Sequence, residues 1–125
     1  YNMLKIAAVL NDYKVVINAG ADNGIRKGQR YLIYALSDHE IIDPDTGKSL
    51  GYLEIVKGTG VIIHVQDKMA TLESDTYKNF SKKYRKPTNA ILKPYFSSPS
   101  EEIETERRQM PFDDPDIGDF VKQVN

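Results

Sequence analysis

The chain has 125 residues, of which 40% are hydrophobic and 28% charged, and its formal net charge is −1. This length allows one domain of ordinary size, and the charge argues against a dedicated nucleic-acid-binding protein. The absence of cysteine excludes disulfides, thiolate metal sites and cysteine nucleophiles. No apolar run is long enough to indicate a membrane span.

The first third of the chain alternates between strand-like runs and turn signals. Apolar residues recur at every second position over Leu4–Leu10 and again over Tyr13–Ala19, which is the period of a half-buried strand. Asn11-Asp12 between them is typical of a hairpin turn. Residues 20–28 form a glycine-punctuated loop, and we expect its Ile25 to close one end of the core.

The strand pattern continues to residue 74. The turn signal Asp43-Pro44-Asp45-Thr46-Gly47 is strong, because proline fixes φ and glycine accepts positive φ. Further strands are predicted at Arg30–Leu36, Ile41–Ile42, Leu50–Lys57, 61–66 and Met69–Glu73. Five or six short strands at this spacing predict an all-β domain, a small barrel or sandwich over residues 1–74.

Residues 75–125 are predicted to be a polar tail, partly helical or disordered. Its basic segment, 76–86, carries five basic and no acidic side chains, whereas its acidic end, 101–125, carries eight acidic and three basic ones. Helical spacing predicts short helices at three places: through Tyr77, Phe80 and Tyr84; after Ser100; and through Ile117, Phe120, Val121 and Val124. The last group is expected to dock on the barrel or on a neighbouring chain.

The basic segment interleaves cations with aromatic residues: Lys78, Lys82, Lys83, Arg85 and Lys86 with Phe80 and Tyr84. Nucleic acids bind such a mixture, because cations neutralise phosphates and aromatic faces stack on bases. Two alternatives stay open. The segment is a solvated helix whose aromatic residues pack on the barrel, or the acidic end folds back onto it in exposed, salt-screened pairs.

No catalytic or metal-binding set is predicted. Asp43 and Asp45 resemble the start of a calcium loop, but Gly47 stands where a third ligand is needed, which favours a structural turn. His39 and His64 lack a shared partner and are expected on the surface. The chain is therefore predicted not to be an enzyme and to hold neither metal nor cofactor.

Tyrosine is abundant, with 8 residues in the chain. Tyr31, Tyr34 and Tyr52 alternate with aliphatic residues and combine an apolar body with a polar tip, as contact surfaces of proteins often do. We expect these three either to bind a partner or to line the rim of the barrel.

The turn residues also carry a family resemblance. The runs Asn18-Ala19-Gly20, Gly24-Ile25-Arg26-Lys27-Gly28, Asp43-Pro44-Asp45-Thr46-Gly47 and Gly58-Thr59-Gly60 ahead of Val65 resemble the small C-terminal β-barrel module of flagellar assembly protein T and related bacterial surface-assembly proteins. The resemblance covers residues 4–74. It implies an SH3-like barrel that makes structural contacts without catalysis, in the periplasm; without it, the cytoplasm is the expected location.

Two functional hypotheses follow from these patterns. The leading one is a non-enzymatic bacterial interaction or scaffolding module whose partner is another protein or a second copy of the chain. The alternative is a nucleic-acid-binding barrel with the basic aromatic segment as its arm.

Overall fold

The structure is a computed structural model that describes residues 3–85 and 101–124. Its strands are β1 (Ile6–Asn11), β2 (Lys14–Ile17), β3 (Arg30–Ile42), β4 (Ser49–Val65), β5 (Ala70–Ser74), β6 (Tyr77–Arg85), β7 (Glu101–Gln109) and β8 (Phe120–Val124). In the described part of the chain the only helical element is one 3-10 turn at Ala21–Asn23. The prediction of an all-β protein is confirmed.

Six strands form one antiparallel sheet in the order β1-β2-β5-β4-β3-β8. β1 and β8 stand at its two ends, and a single bridge between Lys5 and Phe120 links them. Beside that bridge the amide of Ile6 donates to the carbonyl of Asp119 at 2.9 Å. Backbone hydrogen bonds thus join the two ends over residues 4–6 and 118–121, and the sheet is not closed into a barrel.

The core is made by alternate residues of the central strands, because successive side chains of a strand point to opposite faces. The largest side chains with almost no exposure come from five strands and are Ile6, Val15, Ile17, Ile33, Ile62 and Leu72. Ile25, in the glycine-punctuated loop, is 5% exposed and packs with this cluster. Its predicted place in the core is confirmed.

Residues 77–109 form a separate compact unit in which β6 pairs with β7. The register is continuous, from Tyr77 opposite Gln109 to Arg85 opposite Glu101. The helices predicted through Tyr77 and after Ser100 are therefore wrong. The reason is a partner later in the chain: β7 pairs with β6 along its whole length, and the spacing of residues within one segment does not reveal such a partner.

The other compact unit comprises residues 1–76 and 110–125, so the end of the predicted tail belongs to the main sheet. The amide of Met110 donates to the carbonyl of Thr76 at 2.7 Å where the chain re-enters this unit. β8 then pairs with the start of β3, from Tyr34 opposite Phe120 to Arg30 opposite Val124.

The helix predicted over residues 117–124 is also wrong, because β3 offers this segment an unpaired edge that a strand can complete. Val121 is 5% exposed and packs in the core, which confirms its docking on the domain. Ile117 was expected to dock with it but is 71% exposed.

A largely buried ion pair fixes the segment that leads into β8. The side chains of Lys57 and Asp119 are 12% and 10% exposed, and the Lys57 ammonium lies 2.8 Å from an oxygen of Asp119. It also donates to the carbonyl of Asp114 at 2.9 Å and lies 3.5 Å from a carboxylate oxygen of Asp116. Burial by itself lowers the pKa of Lys57, but the hydrogen bond and charge of Asp119, with those of Asp116, outweigh it and the pKa is raised.

This raised pKa predicts a loss of stability at high pH. The ion pair stabilises the fold fully below the ordinary lysine value of about 10.4, and the stabilisation is lost as the pH rises through the higher folded value. We expect the difference in free energy of unfolding between the wild type and Lys57→Met, measured by urea titration, to shrink above about pH 10.4. Buried Tyr31, whose pKa burial also raises, is common to both proteins and cancels. A difference that stays constant through this range would contradict the prediction.

Candidate functional site

β3 and β4 extend beyond the rest of the sheet as a two-stranded hairpin, residues 35–56, here called the ribbon. β8 accompanies β3 only as far as Tyr34, and β5 accompanies β4 only from Gly60 onward. The runs Ile41–Ile42 and Leu50–Lys57, predicted as separate strands, are parts of β3 and β4. The sequence therefore located the apolar segments of the ribbon but not their continuity with the sheet.

The tip of the ribbon is the predicted Asp-Pro-Asp-Thr-Gly turn. The Asp43 side chain accepts the amide of Asp45 at 2.9 Å, and the Asp43 carbonyl accepts the amide of Gly47 at 2.9 Å. Gly47 has φ +72°, which glycine adopts without strain. The interpretation of this segment as a structural turn is confirmed, with the Asp43 carboxylate engaged by its own backbone.

The ribbon is apolar on both faces. Eight of its large apolar side chains are between 44% and 66% exposed: Leu36, Ile41, Ile42, Leu50, Tyr52, Leu53, Ile55 and Val56. They occupy both faces because successive cross-strand pairs, such as Ala35 with Ile55 and Leu36 with Glu54, point to opposite sides. An isolated two-stranded hairpin is marginal in water, and a contiguous exposed apolar surface of this kind marks an interaction site.

A shallow, open groove of about 430 Å³ on the ribbon is lined by Ile41, Leu50, Gly51, Tyr52, Leu53 and Glu54. Its lining is aliphatic and aromatic apart from a single carboxylate. A groove of this chemistry suits an apolar side chain of a partner.

Glu54, the carboxylate of the groove, is already paired within the chain. The Lys122 ammonium lies 2.6 Å from its oxygen and 4.9 Å from the centre of the Tyr34 ring, which stacks on Phe120 at 5.5 Å. The hydrogen bond that Lys122 donates to the Glu54 carboxylate raises the pKa of Lys122. At the base of the ribbon the charges of Glu54 and Lys122 therefore offset each other.

The two long edges of the ribbon differ. On β3 the register jumps from Leu36 opposite Glu54 to Glu40 opposite Tyr52, so that residues 37–39 bulge against Leu53 alone. On β4 the stretch Tyr52–Val56 contains no extra, bulged residue. The Leu53 amide points inward and donates to the hydroxyl of Ser37 at 3.3 Å. Because backbone direction alternates along a strand, the amides and carbonyls of Tyr52 and Glu54 point outward.

The three tyrosines predicted to bind a partner fall into two groups. Tyr31 is 3% exposed and donates its hydroxyl to Gln29 at 3.0 Å, and Tyr34 is 8% exposed beneath Phe120. These two side chains are therefore buried within the domain: Tyr31 shares the core face of β3 with Ile33, and Tyr34 stacks on Phe120 of β8. Tyr52, 53% exposed, lies on the ribbon.

The basic segment lies mostly in β6, and Lys86 lies outside the described residues. The register sets Lys82 opposite Glu104, Tyr84 opposite Glu102 and Arg85 opposite Glu101, with Lys83 opposite Ile103. Lys78 and Phe80 are exposed near the base of the hairpin, where the Arg108 guanidinium lies 4.9 Å from the centre of the Phe80 ring. The structure shows the acidic end of the chain folded back on the basic segment through β7, and the same register sets Lys78 opposite Arg108 and Asn79 opposite Arg107.

Within residues 3–85 and 101–124, no three His, Asp or Glu side chains converge in a way that would hold a metal ion. The same described ranges contain no helix with the length and apolar character of a membrane span. No protein-family model matches the chain, and no curated protein sequence matches it.

Proposed function

We propose that this chain is a non-enzymatic interaction or scaffolding module that contacts another protein through the ribbon. The observation that carries the proposal is the exposure of eight large apolar side chains, 44–66% each, on both faces of one hairpin. Half-exposed residues of this size amount to roughly 700–800 Å² of surface, comparable to one partner's share of a standard protein interface. Removing such surface from water is favourable by about 25 cal/mol per Å² before association costs.

The resemblance of the turn residues to a bacterial surface-assembly module supports a further proposal about biological role and fold. The turn glycines shared with flagellar assembly protein T modules support a role in assembling a bacterial surface structure, in the periplasm. The bridge between Lys5 and Phe120, at the two ends of the sheet, supports a relationship to SH3-like barrels.

A photo-crosslinking amino acid at Leu50 tests the contact in bacterial cells. Leu50 is 66% exposed on the ribbon, and the matched control is His64, an exposed position of β4 in the body of the sheet. We expect a discrete adduct from position 50, little from position 64, and loss of the adduct when Ile55→Asp is added. Equal yields at both positions, with the fold intact by circular dichroism, would overturn the proposal.

A further inference from the structure

We infer that the occupant of the ribbon is a second copy of this chain, paired edge to edge and antiparallel through β4. The inference rests on the proposed function, since it names the partner that the ribbon contacts. It also makes the contact isologous, which is the commonest arrangement in protein dimers.

The β4 edge is the one built for pairing. The β3 edge is blunted by its bulge at residues 37–39 and by the polar run Asp38-His39-Glu40, devices that keep an edge from pairing. The β4 edge is regular from Tyr52 to Val56, between bulges at Leu50 and Lys57, and this stretch carries one charge, that of Glu54. Among the described residues, no strand pairs with β4 on this side of the ribbon.

The orientation of the backbone fixes a register that suits a two-fold axis. Because the Leu53 amide points inward to Ser37, an antiparallel copy centred on Leu53 makes a non-hydrogen-bonded pair of the two Leu53 residues. The outward amides and carbonyls of Tyr52 and Glu54 then pair with those of Glu54 and Tyr52 in the second copy.

Side chains agree with this register. Within the regular stretch of β4 it sets Glu54 opposite Tyr52, and no like charges meet across the axis. Regular pairing ends there, because Leu50 and Gly51 lie in a bulge of β4. Glu54 faces Tyr52 of the second copy and brings its own counter-ion, Lys122. Centring on Glu54 instead would bring the two glutamates together, which is unfavourable.

Pairing also relieves the weakness of a lone hairpin. Two ribbons joined along β4 make a four-stranded sheet, and three or more strands with an apolar face can be stable where two are marginal. The one charge on this edge, that of Glu54, is paired internally with Lys122, so a second copy need supply no counter-ion.

The cysteine-free sequence makes the register testable. In Leu53→Cys the two sulfurs would lie across a non-hydrogen-bonded pair with Cα atoms about 4.5 Å apart, within the range that a disulfide spans. We expect the purified full chain carrying Leu53→Cys to form a disulfide dimer under mild oxidation at least ~10-fold faster than His64→Cys or Asp38→Cys, a difference in rate that effective concentration readily provides. Sedimentation of the wild type should show a concentration-dependent dimer.

The outcomes distinguish the second copy as occupant of the ribbon from the proposed interaction function. A wild type that stays monomeric, with Leu53→Cys no faster than His64→Cys, would overturn the second copy as occupant; faster cross-linking of Asp38→Cys would overturn the choice of edge. If Leu50 still gives a photo-adduct heavier than two chains, the proposed function stands without the dimer. If that adduct is also missing, both fail.

Discussion

Replacing Phe112 with alanine is expected to lower the free energy of unfolding of the main unit by about 3–5 kcal/mol. Phe112 is 3% exposed and belongs to the core cluster. Its ring lies against Gly58 so closely that a Cβ built on Gly58 would be 2.9 Å from the ring. Removing the ring therefore leaves a cavity that a rigid strand cannot close.

Phe112 also anchors the segment that returns the chain to the sheet. Its amide donates to the carbonyl of Asp12 at 2.8 Å, and the amide of Asp113 donates to that of Lys57 at 2.7 Å. Loss of the ring should loosen this segment and with it β8, the strand that covers Tyr34.

Urea unfolding followed by far-ultraviolet circular dichroism measures the Phe112 effect. The matched control is Phe80→Ala, whose ring is 41% exposed in the other unit and should cost less than about 1 kcal/mol. A Phe112→Ala loss as small as that of the control would show that Phe112 does not hold the core.

Gly20→Ala is expected to destabilise the main unit by about 3 kcal/mol, at the upper end for overpacking. A Cβ at Gly20 would clash with the carbonyl oxygen of Gln66 and lie 2.7 Å from the amide nitrogen of Met69. Both are backbone atoms, so no side chain can rotate away. The cost comes from this steric clash and not from backbone strain, since Gly20 has an extended φ of −143° that alanine also adopts.

The neighbouring contacts make the movement costly. The Gln66 carbonyl already accepts the amide of Ala21 at 2.8 Å, and the Asp67 carbonyl accepts that of Asp22 at 3.0 Å. Pushing the two loops apart to admit a methyl group would break these bonds.

Gly24→Ala is the matched control, because the same change there meets no atom within 4 Å. Gly24 has φ +82°, so alanine should cost about 1 kcal/mol through its conformation alone. Urea unfolding of the two variants should rank Gly20→Ala well below Gly24→Ala in stability. The reverse order would mean that the two loops yield more easily than their hydrogen bonds indicate.

The parts of the fold that the sequence predicted correctly are those determined locally. Val15 and Ile17 alternate with polar or half-buried neighbours, and the Asp43–Gly47 turn contains its own hydrogen bonds. Ile62 is different: it stands two residues before exposed His64, where strict alternation would place both on one face, yet it is 1% exposed. A register shift between Ile62 and His64 opposite β5 separates the two, and no periodicity reveals such a bulge.

Long-range pairing accounts for the remaining errors. A helical and a strand-like reading of Phe120–Val124 are equally compatible with so few apolar residues, and the free edge of β3, some ninety residues earlier, decides between them. Pairing at the same edge determines which of these tyrosines is buried, because β8 covers Tyr34 and does not reach Tyr52. The ribbon was missed for this reason: exposure depends on where neighbouring strands end.

The return of the chain at Met110 also has a consequence for synthesis on the ribosome. The sheet joins residues before Thr76 to residues after Met110, so its last strand emerges nearly fifty residues after the others. At about 5–20 residues per second, the nascent chain spends a few seconds with the β3 edge and the Phe112 site open. During that interval the unpaired edge of β3 can pair with other chains, a hazard that ends when β8 occupies it.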